Sequence, residues 1–345
     1  MGWPGHAGSV RLRTMVEIRV VDPADEAALR GFWHVEQTAQ RHDREHALLR
    51  SWDQLATSMR DPNPYHRRDL WVARDRGDVV GCAEVGAPLQ DNTQIGFLEV
   101  NVLPDRRRRG IGTALHDVAA QFCRADGRTS ICGEVYVAAD GSASPASAFA
   151  ERLGFEVVHR EDHLLLTLPV PDETVEGLQA KTDPAAYEIL TWQGRCPDEH
   201  VAAFCEMRTR MDNDVPTGEM DLEPVVMDEK RLRVGEERIA LSYVGITAAA
   251  RRRDDGVFGG YSQLYLPHGG DYAYQDDTLV MPQHRGHRLG TLLKLATLGI
   301  VQREYSGRVA IHTDTAVDNR AMQATNRDFG YRPVERLHEM QRRDL

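Results

Sequence analysis

Hydrophobic and polar positions follow the same order twice along this chain. Each half opens with a short stretch, VEIRVV or YEILTW, that predicts a strand and precedes an amphipathic, helix-like segment. Longer alternating stretches then meet at Gly77-Asp78 in the first half and at Asp254-Asp255-Gly256 in the second, and predict hairpins. A strand ending in proline, a helix, a further strand, a second helix and a last strand follow in both halves. The pattern predicts a duplicated α/β unit.

Two local matches support the duplication. RRRRGIGTALHDVA around Gly112 matches RGHRLGTLLKLA around Gly290, and RLGFEVVHR around Gly154 matches DFGYRPVER around Gly330. Their spacing of about 175 residues is far longer than a solenoid repeat. The chain is therefore divided into a flexible N-terminal extension (1–14), a first domain (15–170), a linker (171–186) and a second domain (187–345).

Composition limits the classes of function. The chain has 345 residues and no apolar run of the roughly 20 residues that a membrane helix needs. Its net charge of −11 disfavours nucleic acid and favours cationic substrates. The five cysteines form no CxxC pair and show no metal-ligand spacing, so we expect reduced thiols, no metal and a cytoplasmic location.

A basic, glycine-containing loop joins each proline-terminated strand to the next helix. Free backbone N–H groups and the helix dipole make such a helix N-terminus a site for anions. Glycines allow the backbone to approach phosphate oxygens closely. In an acidic protein, these two basic loops are the predicted sites for an anionic ligand.

The loops resemble the Q/R-x-x-G-x-G/A signature of the GCN5-related N-acetyltransferases (GNATs), which binds the coenzyme A pyrophosphate. The first loop, Arg107 to Gly112, matches it completely, whereas the second has Arg288 in place of the middle glycine. The duplication resembles the mycothiol synthase type of the family, in which one copy can be catalytically idle. The resemblance implies acetyl-CoA, or another acyl-CoA, as cosubstrate.

The resemblance also implies a fold and a set of cofactor contacts. The fold is two tandem GNAT domains, each a mixed and mostly antiparallel sheet flanked by helices. In the family, the strand before the loop separates from its neighbour at a bulge, and pantetheine enters the gap. The implied cofactor residues are Val102, Leu103, Arg107, Arg108, Arg109, Gly110, Ile111, Gly112 and Thr113 in the first copy, and Val280, Met281, Arg285, Gly286, His287, Arg288, Leu289, Gly290, Thr291 and Asn319 in the second.

Amide formation from a thioester requires a neutral amine, so a carboxylate is expected to accept the amine's proton. Asp276 and Asp277, on the strand before the second loop, resemble the acidic pair of amine-acetylating members. Glu99 is the first copy's counterpart of Asp277. Adjacent residues of a strand point to opposite faces, so only one of the two aspartates is expected to face the amine.

The family's usual general acid is a tyrosine four residues before the late glycine, but this chain has Ala150 and Asn326 there. Three tyrosines near the second site are candidate substitutes: Tyr265, Tyr272 and Tyr274. The second copy also has Asn319, a residue type that the family uses to hold the cofactor arm, where the first has Ala143. We therefore expect the second copy to be catalytic.

The predicted function is N-acylation, most simply N-acetylation, of a small-molecule amine within a ternary complex. One alternative is a longer or aminoacyl donor, and another is a non-catalytic acyl-CoA sensor or assembly protein. The expected partner is the amine substrate, with no nucleic acid and no membrane, and the chain is expected to be a monomer or homodimer. The acids of segment 211–224 either attract a cationic acceptor or form a solvated loop: Asp212, Asp214, Glu219 and Asp221.

Overall fold

The computed structural model describes residues 10–11, 16–214 and 218–345, with residues 10–11 described as backbone only. The prediction of a flexible extension over residues 1–14 falls mostly outside the described residues. Val10–Arg11 (β1) pairs antiparallel with the next strand of the chain, Glu17–Val20.

Each copy contains the predicted order of elements and, between its first helix and its hairpin, one further helix that the sequence pattern did not predict. The first copy comprises β2 Glu17–Val20, α1 Glu26–Asp43, α2 Trp52–Arg60, β3 His66–Asp75, β4 Asp78–Pro88, β5 Ile95–Val102, α3 Ile111–Ala125, β6 Ser130–Ala138, α4 Pro145–Arg152 and β7 Glu156–Thr167. The second comprises β8 Tyr187–Gln193, α6 Val201–Asp214, α7 Glu229–Ala240, β9 Tyr243–Arg252, β10 Phe258–Pro267, β11 Tyr272–Val280, α8 Leu289–Glu304, β12 Ala310–Ala316, α9 Arg320–Phe329 and β13 Arg332–Arg343.

The segment predicted as a linker contains a helix, α5 (Asp172–Gln179). Leu178 of α5 is buried and packs with Val170 against α8 and β7. The polar composition of this segment favoured an exposed linker and gave no sign that Val170 and Leu178 would be buried. The connection is therefore part of the second copy's core.

Among the described residues, the two copies share one sheet of 13 strands with the order β1-β2-β3-β4-β5-β6-β13-β7-β12-β11-β10-β9-β8. The last strand of the second copy, β13, lies between β6 and β7 of the first, and β7 in turn pairs with β12. Leu164 and Leu166 of β7 pack in the second copy's core, while Met340 of β13 packs in the first copy's core. The boundaries drawn from the repeat therefore do not follow the sheet at its centre.

Helices cover both faces of this sheet. In the first copy, α3 packs on one face and α1 with α2 on the other. In the second copy, α8 occupies the first of these faces, and α6 with α7 the second. We call these the α8 face and the α6 face of the second copy.

A buried ion pair joins the two copies where their strands interleave. Arg44, directly after α1, donates two hydrogen bonds to Glu335 of β13, at 2.9 and 2.8 Å. His163 of β7 lies 3.1 Å from the same carboxylate. Burial opposes ionisation of Glu335, but the hydrogen bonds and charges of Arg44 and His163 outweigh it and lower its pKa to about 2.

Replacing Glu335 by glutamine is expected to destabilise the fold by about 3–5 kcal/mol, because it leaves the Arg44 charge buried without its counterion. The wild-type contribution is fully present above the carboxyl's ordinary pKa of 4.5 and is lost as the pH falls towards about 2. Urea unfolding at several pH values measures both effects. Glu26→Gln, which breaks an exposed pair with Arg30, is the control and should cost under about 1 kcal/mol. Equal costs for the two variants would contradict this account.

Candidate functional site

A gap opens in the sheet of each copy between two parallel strands. In the first copy, β5 and β6 are paired only as far as Phe97 and Cys132. In the second, β11 and β12 are paired only as far as Tyr274 and His312. Beyond these pairs the two strands separate, and the gap widens towards the basic loop that follows β5 in the first copy and β11 in the second. Each gap leaves one strand edge with backbone groups available to an extended ligand.

A bulge accompanies the gap in the second copy only. The register between β10 and β11 shifts between Ser262 and Leu264, so that Asp276 and Asp277 together lie opposite Gln263. In the first copy, β4 and β5 keep one register throughout their pairing. The expectation of a bulge in both copies is therefore wrong for the first. An inserted residue aims both aspartates differently from a regular strand.

The two loops have the same backbone conformation despite their different sequences. Arg108 and Gly286 have φ of 63° and 88°, and Gly110 and Arg288 have φ of 81° and 52°. Both Gly110 and Arg288 serve as the left-handed cap of the following helix. Arg288 thus adopts the conformation that the motif's glycine adopts, at a cost of about 1–2 kcal/mol for an L-residue. The departure from the signature does not change the path of the loop.

The first arginine of each loop anchors it to the preceding strand. Arg107 Nε donates to Val102 O at 3.1 Å, and Arg285 Nε donates to Val280 O at 3.3 Å. Arg107 also forms an ion pair with Asp43 at 2.7 Å. The exposed basic side chains that remain for a phosphate are Arg108 and Arg109 in the first loop, and His287 and Arg288 in the second.

Backbone donors at the second loop point towards the gap and the helix start. Met281 N donates to Gly259 O of β10, and its carbonyl accepts from His284 N, so both of its polar groups are engaged. Amide directions alternate along a strand, so the Val280 N–H points into the gap. The first hydrogen bond of α8 runs from Leu292 N to Arg288 O. The N–H groups of the three preceding residues, Leu289, Gly290 and Thr291, have no acceptor within the helix.

The first copy repeats this arrangement around Leu103. Leu103 N donates to Val80 O, and its carbonyl accepts from Arg106 N. By the same alternation, Val102 is the residue that presents its N–H to the gap. At the start of α3, the first hydrogen bond runs from Ala114 N to Gly110 O, which leaves Ile111, Gly112 and Thr113 with no acceptor in the helix.

The mouths of the two gaps differ. A Cβ on Gly112 would lie 3.1 Å from the Phe149 ring, so this ring already covers the start of α3. A Cβ on Gly290 would meet only Thr278 and Val280, at 3.7 and 3.9 Å. The helix start is therefore more open in the second copy.

Four side chains surround the bulge on the α6 face. Tyr261 donates to Asp277 Oδ2 at 2.8 Å, and Arg208 of α6 lies 3.8 Å from the same oxygen through Nε. Arg208 also donates to Gln263 at 2.7 Å. Burial and the neighbouring Asp277 raise the pKa of the half-buried Asp276 to about 7, although the Arg208 charge opposes the shift. Asp276 is thus poised to exchange a proton near neutral pH.

Arg208 was missed by the sequence analysis. It follows the buried Phe204 by four residues and therefore lies on the apolar side of α6. A charged residue at such a position was the available signal. The described part of the first copy has no equivalent of the contact between Arg208 and Asp277. Glu99, the counterpart of Asp277, is exposed and accepts hydrogen bonds from Gln40 at 2.6 Å and Asn101 at 2.7 Å.

The other predicted site residues have identified contacts. Asn319 is the N-cap of α9, and its Oδ1 accepts from Met322 N at 3.2 Å. Tyr274 donates to Asp314 at 3.1 Å. Burial raises the pKa of Tyr265, Tyr272 and Tyr274 alike, which makes each a weaker acid than a free phenol.

The acidic segment splits into two parts around residues 215–217, which lie outside the described residues. Asp212 is half-buried on α6, where burial raises its pKa. Asp214 forms an ion pair with Arg210. The backbone of Glu219 and of Asp221 is tied to the first copy, since Glu219 N donates to Val158 O and Asp221 O accepts from Gln94. Of the four acids, Asp212 is the one whose charge acts on Asp276.

A sheet that opens between two parallel strands, above a helix start rich in free N–H groups, defines the GNAT class of acyl-CoA fold. This chain contains it twice. Within the described ranges, no helix has the length and apolar character needed to cross a membrane. The same ranges contain no group of three or more His, Cys, Asp or Glu residues suited to a metal ion.

Comparison with known proteins agrees with this class. Residues 66–157 match the family model of the acetyltransferase (GNAT) domain. The chain is 26% identical over 341 residues to a mycothiol acetyltransferase from Rothia mucilaginosa, covering 92% of this chain and 91% of that protein. A tandem GNAT protein from the clavulanic acid biosynthesis pathway superposes with a TM-score of 0.81 at 27% identity, over 95% of this chain and 98% of the other.

A GCN5-related N-acetyltransferase from Sphaerobacter thermophilus has the same fold, with a TM-score of 0.66 at 17% identity over 95% of this chain and 96% of that one. The chain therefore has the tandem GNAT fold, and its residues 66–157 match the GNAT domain family. Acyl-CoA-dependent acetyl transfer is the activity that this family implies.

Proposed function

We propose that the chain is an acetyl-CoA-dependent N-acetyltransferase for a small-molecule amine, and that the second copy carries the reaction. The observation that carries this proposal is the bulge of β11, which sets Asp276 and Asp277 beside the point where β11 and β12 separate. The first copy has an unshifted strand there, and Phe149 covers its helix start.

Acetyl-CoA would bind with its pyrophosphate at the start of α8, against the free N–H groups of Leu289, Gly290 and Thr291. The pantetheine arm would lie in the gap and pair with the Val280 N–H. About 13 Å of strand separates Val280 from Asp276, a span that suits an extended arm ending at the bulge. The acyl group would then lie next to the two aspartates.

The amine would approach on the α6 face, where Asp276 accepts its proton directly or through a water molecule. Once that first proton has passed to solvent, the neutral nitrogen attacks the thioester carbonyl. The C–N bond forms, Asp276 accepts the nitrogen's second proton, and CoA leaves as the C–S bond breaks. Tyr261 and Arg208 hold Asp277 in place, so Asp277 positions its neighbour and orients the incoming ammonium group. No acyl-enzyme is needed, because both substrates are bound at once.

The acceptor is proposed to be a small cationic amine. Asp212, Asp276 and Asp277 lie around the approach, and Asp314 of β12 lies at the gap, where burial raises its pKa to about 6. Such a cluster favours an alkylammonium ion over a neutral or anionic acceptor. The similarity to a mycothiol acetyltransferase also supports a small-molecule acceptor rather than a protein.

A non-catalytic acyl-CoA sensor is the second candidate, because Ala150 and Asn326 replace the family's usual acid in both copies. A panel of amines, including diamines, amino sugars and amino acids, is incubated with acetyl-CoA, and CoA release and acetylated product are measured. We expect at least one small amine to be acetylated. Binding of acetyl-CoA without product from any amine would support the sensor. Turnover only with octanoyl-CoA or an aminoacyl-CoA would instead redefine the donor.

A further inference from the structure

A lysine is buried beneath the gap of the second copy, on the α8 face. Lys294 of α8 is 3% exposed, and its Nζ donates to Asn326 Oδ1 at 2.6 Å. Asn326 Nδ2 in turn donates to Thr315 Oγ1 of β12 at 3.0 Å. Such complete burial of an ammonium group is rare without a paired charge. The contacts that hold it here are the neutral Asn326 amide and the Tyr331 ring, whose centroid lies 5.2 Å from Nζ.

The hydrogen-bonded side chains of Lys294, Asn326 and Thr315 lie close to the gap. Thr315 lies on β12 beyond His312, the last residue of β12 that pairs with β11. Lys294 also lines a small internal cavity together with Gln275, the first residue of β11 after its last pair. The lysine therefore lies beneath the point where the strands part. Asp276 lies beside that point on the opposite, α6 face.

We propose that Lys294 is the proton donor to the CoA sulfur in the acetyl transfer assigned above, with Asn326 and Thr315 orienting its amine. The inference rests on the proposed function of the second copy. As the C–S bond breaks, the sulfur takes a proton from the Lys294 ammonium group, while Asp276 takes a proton from the attacking amine. The products are the acetamide and CoA thiol, and solvent returns one proton to Lys294 and removes one from Asp276.

The chemistry of the site suits this role. Burial lowers the pKa of Lys294 to about 7, so the ammonium group can release a proton near neutral pH. An ordinary thiol has a pKa of about 8.5, so the leaving thiolate is basic enough to accept the proton of the Lys294 ammonium group. The tyrosines near the gap are weaker acids, because burial raises their pKa.

The first copy lacks these groups. The residue of α3 that corresponds to Lys294 is His116, which contacts Asp117 at 3.1 Å and Arg342 at 3.3 Å. Ala150 occupies the position that corresponds to Asn326. His116 is therefore the matched control position for a substitution at Lys294.

The first test does not depend on turnover. The pKa of the CoA thiol bound to the protein is measured from thiolate ultraviolet absorbance, in the wild type and in Lys294→Met, Lys294→Gln and His116→Gln. An ammonium group facing the sulfur should lower the thiol pKa by about 1 unit or more. We expect this lowering in the wild type and in His116→Gln, and its loss in both Lys294 variants. The five cysteines of the chain are buried, which keeps their own titration out of the range.

The second test uses the best amine of the panel. Lys294→Met should lower kcat by about 10²-fold and abolish the fall of kcat/KM above about pH 7. Lys294→Arg should not restore the rate, because a guanidinium group does not deprotonate in proteins. Thermal melting checks that each variant is folded.

An unchanged thiol pKa and pH profile in folded Lys294 variants would overturn the proposal. A wild type that binds acetyl-CoA but acetylates nothing would overturn the proposed function and the catalytic role of Lys294, whereas a lowered thiol pKa would still show that Lys294 faces the CoA sulfur. A wild type that binds no CoA would overturn both.

Discussion

Replacing Asp276 by asparagine is expected to lower kcat by about 10²- to 10⁴-fold, the range that a positioned general base contributes. Burial and Asp277 raise the pKa of Asp276 to about 7. A general base must be ionised, so the ionisation of Asp276 should produce a rise in wild-type activity as the pH increases towards about 7, before the fall that loss of the Lys294 proton produces. The variant should lose this rise, and acetyl-CoA should still bind because Asp276 is distant from the phosphate loop. Steady-state kinetics between pH 5 and 9 and a binding titration measure these effects.

Two further substitutions separate a base from a local charge. Asp277→Asn removes the charge that faces Arg208 and that raises the pKa of Asp276, so the rate should fall while the pH-dependent rise is retained with its midpoint at lower pH. Glu99→Gln makes the matched change in the first copy and should leave kcat unchanged. If Glu99→Gln abolishes activity and Asp276→Asn does not, the assignment of the reaction to the second copy is wrong.

Replacing Gly290 by tyrosine is expected to abolish acetylation, because the new ring would fill the mouth of the gap between Thr278 and Val280. Loss of two charge-assisted hydrogen bonds, each worth about 1.5–3 kcal/mol, corresponds to at least about 100-fold in affinity for acetyl-CoA. The measurement is kcat/KM for acetyl-CoA at saturating amine.

Gly112→Tyr is the matched variant in the first copy and should leave kcat/KM within a factor of about two, since Phe149 already covers that helix start. Thermal melting establishes that both proteins are folded. Loss of activity in Gly112→Tyr with full activity in Gly290→Tyr would move the active site to the first copy.

The repeated order of strands and helices was predictable because alternation and turn residues are local properties of the sequence. The second loop was also recognisable, although Arg288 replaces a glycine. Its left-handed conformation could not be foreseen, since an arginine rarely adopts it and only the surrounding loop determines that it does. The positions of both basic loops, each between a strand and a helix, therefore followed from the sequence, while the equivalence of their backbones did not.

The strand exchange was not predictable. Both β7 and β13 alternate in the same way, and either could have paired with β6 on that criterion alone. The contacts that decide the order lie between distant residues, such as Arg44 with Glu335 and Leu166 with the second copy's core. A pattern within one strand contains no information about such partners.

Within the site, the acidic pair was predictable as residue types but not as geometry. The bulge that turns Asp276 and Asp277 leaves no signature in the residues themselves. The burial of Lys294 in α8 was not predictable, because a lysine within a helix is usually solvent-exposed. Its burial depends on Asn326, thirty-two positions further along the chain.

The central claim is that acetyl-CoA binds in the gap of the second copy, whose mouth is more open than that of the first. The most direct test of this claim is an isothermal titration of the full chain with acetyl-CoA. The account predicts saturable binding that includes one site lost in Gly290→Tyr and retained in Gly112→Tyr. Absence of saturable binding to acetyl-CoA, with longer acyl-CoAs equally silent, would contradict it.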